Sequence, residues 1–171
     1  MRRLKLLSEG VLYRNPDPGF KAEYAFLPNL VPVTDVEVLC FYRTGTAFYS
    51  LDGKLAALRS GDGGRTWAPE APVWDPRNER ERYSYTAPHA TRMLDGEMVL
   101  IAHRREFTEP YRPPINPETG GLRPGELVLF RSVDDGHSWS EPEKLDVPGG
   151  GLADAPSQII ELNDGRWFLG C

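Results

Sequence analysis

The 171-residue chain has a formal charge of -5 and a pI near 5.3, with 40% hydrophobic and 26% charged residues. This composition is typical of one soluble globular domain, and its acidic balance argues against a nucleic-acid partner, which would need a basic surface to neutralise phosphates. No run of residues has the length and apolarity of a membrane span or a signal peptide, so we expect no membrane partner and a cytoplasmic location by default, with secretion left open.

The two cysteines, Cys40 and Cys171, lie in apolar surroundings and lack the spacing of a metal site. We interpret them as buried free thiols, with a disulfide as the alternative. The sequence therefore predicts no redox role and no cofactor.

Glycine and proline divide the chain into short apolar segments bounded by turn residues. Segments of about four to eight residues without a helical period predict the strands of an all-β fold. In chain order they are VEVLCFY (36–42), KLAALRS (54–60), EMVLIAH (97–103), ELVLFRS (126–132) and GRWFLG (165–170). The segment LKLLSEGVLYRN (4–15) also predicts a strand, one that belongs to no sheet of its own.

One pattern occurs twice along the chain. SGDGGRTW (60–67) returns as SVDDGHSW (132–139), and an Asp-Gly pair opens a strand at 95–96 and again at 164–165. The repeating unit is therefore strand A, a hairpin, strand B, a variable loop, strand C, the SxDxGxxW turn and strand D. Four antiparallel strands in each unit are typical of a blade of a β-propeller.

The repeat predicts one domain over 1–171, with a first blade at 23–75, a second at 83–147 and the start of a third at 153–171. Because a propeller closes with about four to eight blades, we interpret the chain as the N-terminal piece of a longer ring. Residues 4–15 would then complete the last blade. The alternative is a complete protein that closes by self-association through its open blades.

The two turns resemble the Asp-box, or BNR repeat, of the sialidase (neuraminidase) superfamily, whose motif is Ser-x-Asp-x-Gly-x-x-Trp. The resemblance implies a partial six-bladed β-propeller and a sialidase-like glycoside hydrolase that acts on a carbohydrate or glycoconjugate. A non-catalytic glycan- or protein-binding propeller is the alternative. The matching positions are Ser60, Asp62, Gly64, Trp67, Ser132, Asp134, Gly136 and Trp139.

The residue types of these turns predict a structural role. Ser and Asp hydrogen-bond nearby backbone, Gly takes a positive φ, and Trp packs on neighbouring strands. Counting strands places the turns at the end of each blade opposite the starts of the A strands and the loops between B and C. Because propellers bind ligands at the axial end, we expect the site at those starts and loops.

The resemblance implies a carboxylate-binding arginine in the first A strand, where this sequence has Phe26. A phenyl ring cannot form the bidentate pair that a guanidinium forms with a carboxylate, so we expect altered specificity. Arg43 matches the place of a further family arginine, and Asp52 is the best match to the acid/base aspartate. Asp52-Gly53 is equally the sequence of an ordinary turn. The remaining catalytic Tyr, Glu and arginines would lie beyond Cys171.

Further candidates for substrate binding lie in the second and third units. Aligning the B strands places Arg43 opposite Arg104. The adjacent arginines Arg104 and Arg105 would suit an acidic sugar if their side chains lie on the axial face. His89, His103 and Asp154 suggest an acid/base relay or a metal site; hydrogen-bonded cleft residues are the alternative, and without short metal spacing we predict no metal.

The loop after Arg104 is longer than the loop after Arg43 and contains Pro110, Pro113, Pro114, Pro117 and Pro124. Long loops that proline stiffens are often functional. Tyr111 and Arg112 are the candidate rim contacts in it, and a surface excursion that packs on the next blade is the alternative.

Overall fold

The computed structural model describes residues 5–6, 9–48, 50–74, 83–106, 115–121, 125–147 and 157–170. These residues form ten β-strands and no helix, and so contain no helix long and apolar enough to cross a membrane. The strands are β1 (Tyr24–Pro32), β2 (Val38–Gly45), β3 (Lys54–Ser60), β4 (Ala68–Pro69), β5 (Tyr83–Arg92), β6 (Met98–Glu106), β7 (Glu126–Ser132), β8 (Glu143–Leu145), β9 (Ile160–Glu161) and β10 (Trp167–Phe168).

Each unit of the repeat forms its own antiparallel sheet. The first sheet has the order β1-β2-β3-β4 and the second β5-β6-β7-β8, while β9 and β10 pair as a third, two-stranded sheet. Neighbours in sequence are neighbours in space throughout, as in a propeller blade. The prediction of an all-β fold is confirmed, and the first two units have the expected four antiparallel strands.

The central strands are buried on both faces because each sheet is covered on both sides. Nearly every residue of β2 and β6 is buried, which explains why their sequences are almost continuously apolar. A core between the first two sheets joins Leu39 and Phe41 of β2 to Tyr85, Leu100 and Phe130 of the second sheet. The two blades are therefore packed face to face.

A second cluster lies on the other face of the second sheet, where Ile159 of the third unit packs with Ile101 and Leu129. The other face of the first sheet buries Cys40, a free thiol whose pKa burial raises. Tyr13 covers that face, with its ring centroid 5.6 Å from that of Tyr42. Residues 9–15 form no strand here, so the pairing of 4–15 with a last blade stays a prediction.

The first strands of the three units lie side by side. The backbone N–H of Ala90 donates to Oδ1 of Asn29 over 2.8 Å, and the side chain of Gln158 donates to the Ala90 carbonyl over 3.0 Å. These bonds join β1 to β5 and β5 to the third unit. The arrangement is that of innermost strands around a propeller axis.

The strand register corrects the alignment of the two B strands. In both sheets the serine that opens the SxDxGxxW turn pairs with the first residue of the central strand, Ser60 with Val38 and Ser132 with Met98. Arg43 is therefore equivalent to His103, and the alignment of Arg43 with Arg104 is wrong by one residue. Because side chains alternate along a strand, that slip turns Arg104 to the opposite face of its sheet.

The SxDxGxxW turns have the structural role that their residue types predict. In the first turn, Oγ of Ser60 accepts the Gly64 N–H over 2.8 Å, and the Asp62 carboxylate accepts the Thr66 N–H over 2.9 Å. The Trp67 indole donates to the Gly64 carbonyl over 3.0 Å. Gly64 has a φ of 86°, where glycine is favoured.

The second turn repeats these bonds, since Gly136 N–H donates to Ser132 Oγ over 2.9 Å and Ser138 N–H donates to Asp134 over 2.9 Å. Trp139 then packs edge-on against Phe41 of the first sheet, with centroids 5.5 Å apart. Both turns follow the ends of C strands, at the end of the blade away from the loop between B and C. The second turn thus joins the two blades, whereas Trp67 of the first turn packs on its own sheet. Both turns lie at the end opposite the expected site.

Candidate functional site

The candidate site is the end of the sheets at which β1 and β5 begin. Tyr24 and Phe26 of β1 pair with Gly45 and Arg43 of β2, so the loop 46–53 starts beside them. The start of β5 closes on the far end of that loop, because the Tyr85 N–H donates to the Gly53 carbonyl over 3.0 Å. One end of the molecule thus combines the β1 start, the first B to C loop and the β5 start.

Arg43 braces this end from inside. Only 1% of its surface is exposed. Its Nε donates to the Tyr85 carbonyl over 3.0 Å, Nη1 to the Ala47 carbonyl over 2.8 Å and Nη2 to the Ser50 carbonyl over 2.7 Å. Arg43 is therefore directed at backbone oxygens of its own loop and of the next blade. The expectation that it contacts substrate finds no support in this placement.

Gly45 and Gly53 make room for the Arg43 guanidinium. A Cβ on Gly53 would stand 2.7 Å from Nε of Arg43 and 2.5 Å from the Tyr85 carbonyl oxygen. A Cβ on Gly45 would stand 2.9 Å from Nη1 of Arg43 and 3.1 Å from Oδ1 of Asp52. The Arg43 guanidinium and the Asp52 carboxylate therefore both lie next to Gly45.

Asp52 is exposed at this end and fixed by its own loop. Its carboxylate accepts the Thr46 N–H over 3.1 and 3.2 Å and the Thr46 hydroxyl over 3.2 Å. Burial alone would raise the pKa of Asp52, but hydrogen bonds from Ser50 and Thr46 outweigh burial and hold the pKa below its usual range. Asp52 is thus an ionised, pre-positioned acceptor at neutral pH.

Three aromatic rings lie close together at this end, next to Arg43. Phe26 meets Phe48 of the loop edge-on with centroids 5.3 Å apart, and it meets Tyr24 with centroids 6.0 Å apart. Tyr24 is 55% exposed and Phe48 is 42% exposed, which is unusual for side chains of this size. We call these three residues the aromatic patch. The Arg43 guanidinium lies beneath it, 5.8 Å from the Phe26 centroid.

Glu23 stands at the edge of this end and is held by two donors. It accepts from the Lys21 ammonium and from the Tyr13 hydroxyl, the latter over 2.7 Å. The Lys21 contact, followed by the Tyr13 contact, lowers the pKa of Glu23. Burial and the Glu23 carboxylate raise the pKa of Tyr13 to about 12, so the phenol stays protonated.

The arginines of β6 are also engaged within the fold. Arg104 bonds to Glu126 over 3.0 Å, and its guanidinium lies 4.2 Å from the centroid of the Tyr83 ring. Arg105 is buried on the opposite face of β6. The two neighbours therefore do not form one paired cation, and their joint role in binding an acidic sugar finds no support in their geometry.

His89 and His103 lie on the face of the second sheet that is turned toward the third unit. His89 pairs with Ile101, which packs on that unit, and His103 lies two residues after Ile101 on the same face of β6. His103 is fully buried, and partial burial lowers the pKa of His89. Asp154 lies outside the described residues, as do Tyr111, Arg112 and Cys171. The described part of the chain contains no group of three acidic, His or Cys residues that could hold a metal.

Sequence reasoning missed two features of this end. Phe48 was not a candidate because an isolated aromatic in a loop carries no pattern, although three aromatics near one predicted loop are a usable signal. The second feature is a glycine directly before each of the first two C strands. Gly53 lies against Arg43, and Gly125 lies so close to His103 that an added Cβ would stand 2.1 Å from Cε1 of the imidazole. A glycine at the same place in both units could have identified Arg43 and His103 as equivalents.

No family model matches the chain, and no curated protein matches it. Among solved structures it is similar to the Hadza microbial sialidase Hz136, with 20% identity, a TM-score of 0.61 and coverage of 82% of this chain and 30% of that one. It is similar to a protein of unknown function from Dyadobacter fermentans, with 20% identity, a TM-score of 0.65 and coverage of 92% and 47%.

A third similar structure is the alpha-L-arabinanase of Penicillium chrysogenum complexed with arabinobiose, with 13% identity, a TM-score of 0.60 and coverage of 86% of this chain and 39% of that one. The chain thus spans less than half the length of each of the three structures. Likeness at these identities bears on the fold alone. The chain folds as part of a β-propeller of the kind found in glycosidases.

Proposed function

We propose that this chain forms the N-terminal blades of a longer propeller that hydrolyses a glycosidic bond. The observation that carries the proposal is the Asp52 carboxylate, exposed where β1 and β5 begin and fixed by Thr46. The fold likeness to a sialidase and an arabinanase supports it. The SxDxGxxW turns, which resemble the Asp-box, support it at the level of the superfamily.

The state of Asp52 defines the part that it plays. A general acid must hold a proton at the working pH, whereas the lowered pKa of Asp52 leaves it ionised. In this proposal Asp52 accepts a proton or a hydrogen bond, from a water or from a sugar hydroxyl. A glycosidase needs a second reacting group, which would come from another part of the ring.

Arg43 makes the loop 46–53 rigid. Its bonds to the Ala47 and Ser50 carbonyls fix the loop that carries Asp52, and its bond to Tyr85 ties that loop to the next blade. Catalytic groups must be held close to their productive geometry. Arg43 is thus a positioning residue in this proposal.

A non-catalytic glycan-binding propeller is the second candidate. One observation favours it: the pKa of Asp52 is lowered, which is unsuited to a general acid. Both candidates place a carbohydrate at the same end of the molecule and differ only in turnover.

Hydrolysis of a panel of aryl glycosides by the full-length protein separates the two candidates. Asp52→Asn should lower turnover by at least about 100-fold, because a positioned proton acceptor contributes that much. Asp62→Asn is the matched control at the opposite end of the blade and should leave turnover near wild type once folded protein is equalised. Unchanged turnover in Asp52→Asn would refute the role of Asp52. Binding of sugar without any turnover would favour the second candidate.

A further inference from the structure

The aromatic patch is an exposed apolar surface inside the candidate site. Phe26 stands between Tyr24 and Phe48, and contacts with both rings fix its position. Rings of this kind offer broad flat faces to a ligand at low cost in side-chain entropy. The C–H groups of a sugar ring carry partial positive charge and pack on the electron-rich face of an aromatic ring.

The charges around the patch disfavour an anionic ligand. Asp52 is ionised and exposed, and its Oδ1 lies 3.1 Å from the Cβ position of Gly45, the residue that pairs with Tyr24 of the patch. Lys21 is paired with Glu23, and Arg104 with Glu126. Arg43 beneath the patch keeps its positive charge, but backbone carbonyls already occupy the N–H groups of its guanidinium. A carboxylate or sulfate on the patch would therefore meet a negative group first and would have to displace an existing partner to reach a positive one.

Lys54 does not alter this balance on the side of the patch. It pairs with Thr44 in the ladder, and strand alternation turns both of them to the face opposite Arg43 and Gly45. Tyr24 and Phe26 pair with Gly45 and Arg43, and so belong to the other face. The side chain of Lys54 thus leaves the sheet on the face opposite the aromatic patch, where it acts on Glu23 and helps to lower the pKa of that carboxyl.

We propose that the aromatic patch of Tyr24, Phe26 and Phe48, with Asp52 beside it, is a subsite for an uncharged sugar. The rings receive the apolar face of the sugar, and the Asp52 carboxylate accepts a hydrogen bond from one of its hydroxyls. The proposal deepens the proposed function and rests on it for the location of the ligand. It selects neutral sugars over sialic and uronic acids.

Binding to the 171-residue protein tests this preference without any need for turnover. The probes are arabinobiose and lactose as neutral sugars, and sialyllactose and digalacturonate as carboxylate-bearing ones, with Kd measured by saturation-transfer NMR. We expect at least one neutral probe to bind at least about tenfold more tightly than either anionic probe. Tighter binding of an anionic probe, or no binding of any probe, would overturn the proposal.

Variants locate the binding to the patch. Tyr24→Ala and Phe48→Ala should each weaken neutral-sugar binding several-fold, while Phe168→Ala removes an exposed ring on the third sheet and should leave it unchanged. Asp52→Asn should narrow the gap between neutral and anionic probes by removing the negative charge. If Tyr24→Ala and Phe48→Ala both retain the wild-type Kd and fold, the subsite is not the patch.

Failure of this inference and failure of the proposed function give different results. A protein that hydrolyses glycosides and prefers anionic sugars would retain the function and overturn the inference. A protein that binds neutral sugars on the patch without hydrolysing any glycoside would retain the inference and overturn the catalytic function.

Discussion

Arg43 of β2 donates its Nε–H to the backbone carbonyl of Tyr85 on β5, over 3.0 Å, and so crosses from one blade to the next. The same guanidinium holds the Ala47 and Ser50 carbonyls of its own loop. A buried cation is costly unless its donors are satisfied, and here backbone oxygens satisfy them. One side chain thus couples the shape of the candidate site to the packing of two blades.

Replacing Arg43 should therefore destabilise the protein strongly. We expect Arg43→Ala to lower the free energy of unfolding by about 3–5 kcal/mol, because the buried Tyr85 carbonyl and the Ala47 and Ser50 carbonyls lose their donor and a cavity forms. Urea unfolding measures this change. Arg14→Ala removes an exposed arginine and should change stability by less than about 0.5 kcal/mol. Equal effects of the two substitutions would contradict the conclusion that Arg43 stabilises the packing of the two blades.

Gly125 should tolerate no side chain while His103 is present. A Cβ there would stand 2.1 Å from Cε1 of His103 and 2.7 Å from the Arg104 carbonyl oxygen, so Gly125→Ala should cost about 1–3 kcal/mol in unfolding free energy. Gly61→Ala meets nothing within 4 Å and is the matched control.

A double-mutant cycle tests the cause of that cost. Combining Gly125→Ala with His103→Ala should recover part of the loss, since the imidazole is the nearer obstacle. Strictly additive losses in thermal or urea unfolding would show that the imidazole and Gly125 are not in steric contact.

The SxDxGxxW turns should make stability depend on pH in the acid range. The hydroxyl and N–H of Ser138 lower the pKa of Asp134 from 3.8 to about 2. A carboxyl whose pKa is lowered by folding stabilises the protein above its unfolded pKa, and this contribution is lost as pH falls toward 2. Urea midpoints measured from pH 5 to 2 should fall less steeply in Asp134→Asn than in wild type.

Ser138→Ala provides an independent check on that cause, because it removes the hydroxyl donor and leaves the carboxyl in place. The fall of its urea midpoint from pH 5 to 2 should be intermediate between those of wild type and Asp134→Asn. A profile identical to wild type in both variants would mean that the Ser138 bonds do not lower the pKa of Asp134.

The 171-residue chain should self-associate. Ile160 and Phe168 face each other across the third sheet and are 61% and 55% exposed, and a two-stranded sheet with open edges is a ready surface for association. Ile160→Lys should reduce the sedimentation coefficient of the associated species. Val133→Lys, at an apolar turn residue that is 88% exposed, should not. A monodisperse, stable wild-type monomer would rule out this prediction.

How far the candidate site could be predicted differs between its parts. Asp52 and Phe26 are candidates because the resemblance to the sialidase superfamily implies an acid/base aspartate and a carboxylate-binding arginine at these places, and both residues lie at the end where β1 and β5 begin. The role of Arg43 was not predictable, because a sequence shows a charge and does not show the carbonyls that surround it. The alignment of Arg43 with Arg104 slipped because it matched one arginine to another, whereas the strand register makes His103 the equivalent of Arg43 and puts Arg104 on the opposite face of the sheet.

The all-β class, the four-strand unit and the structural role of the two SxDxGxxW turns are predictable from the sequence alone. These depend on short-range features: apolar runs between turn residues, and Ser, Asp and Gly that satisfy a turn within a few positions. Which side chains are exposed to a ligand and which are buried between blades depends on the tertiary structure. Arg43 is enclosed because the next blade brings the Tyr85 carbonyl to it, and Tyr24, Phe26 and Phe48 come together because β1 and the loop after β2 end at the same place.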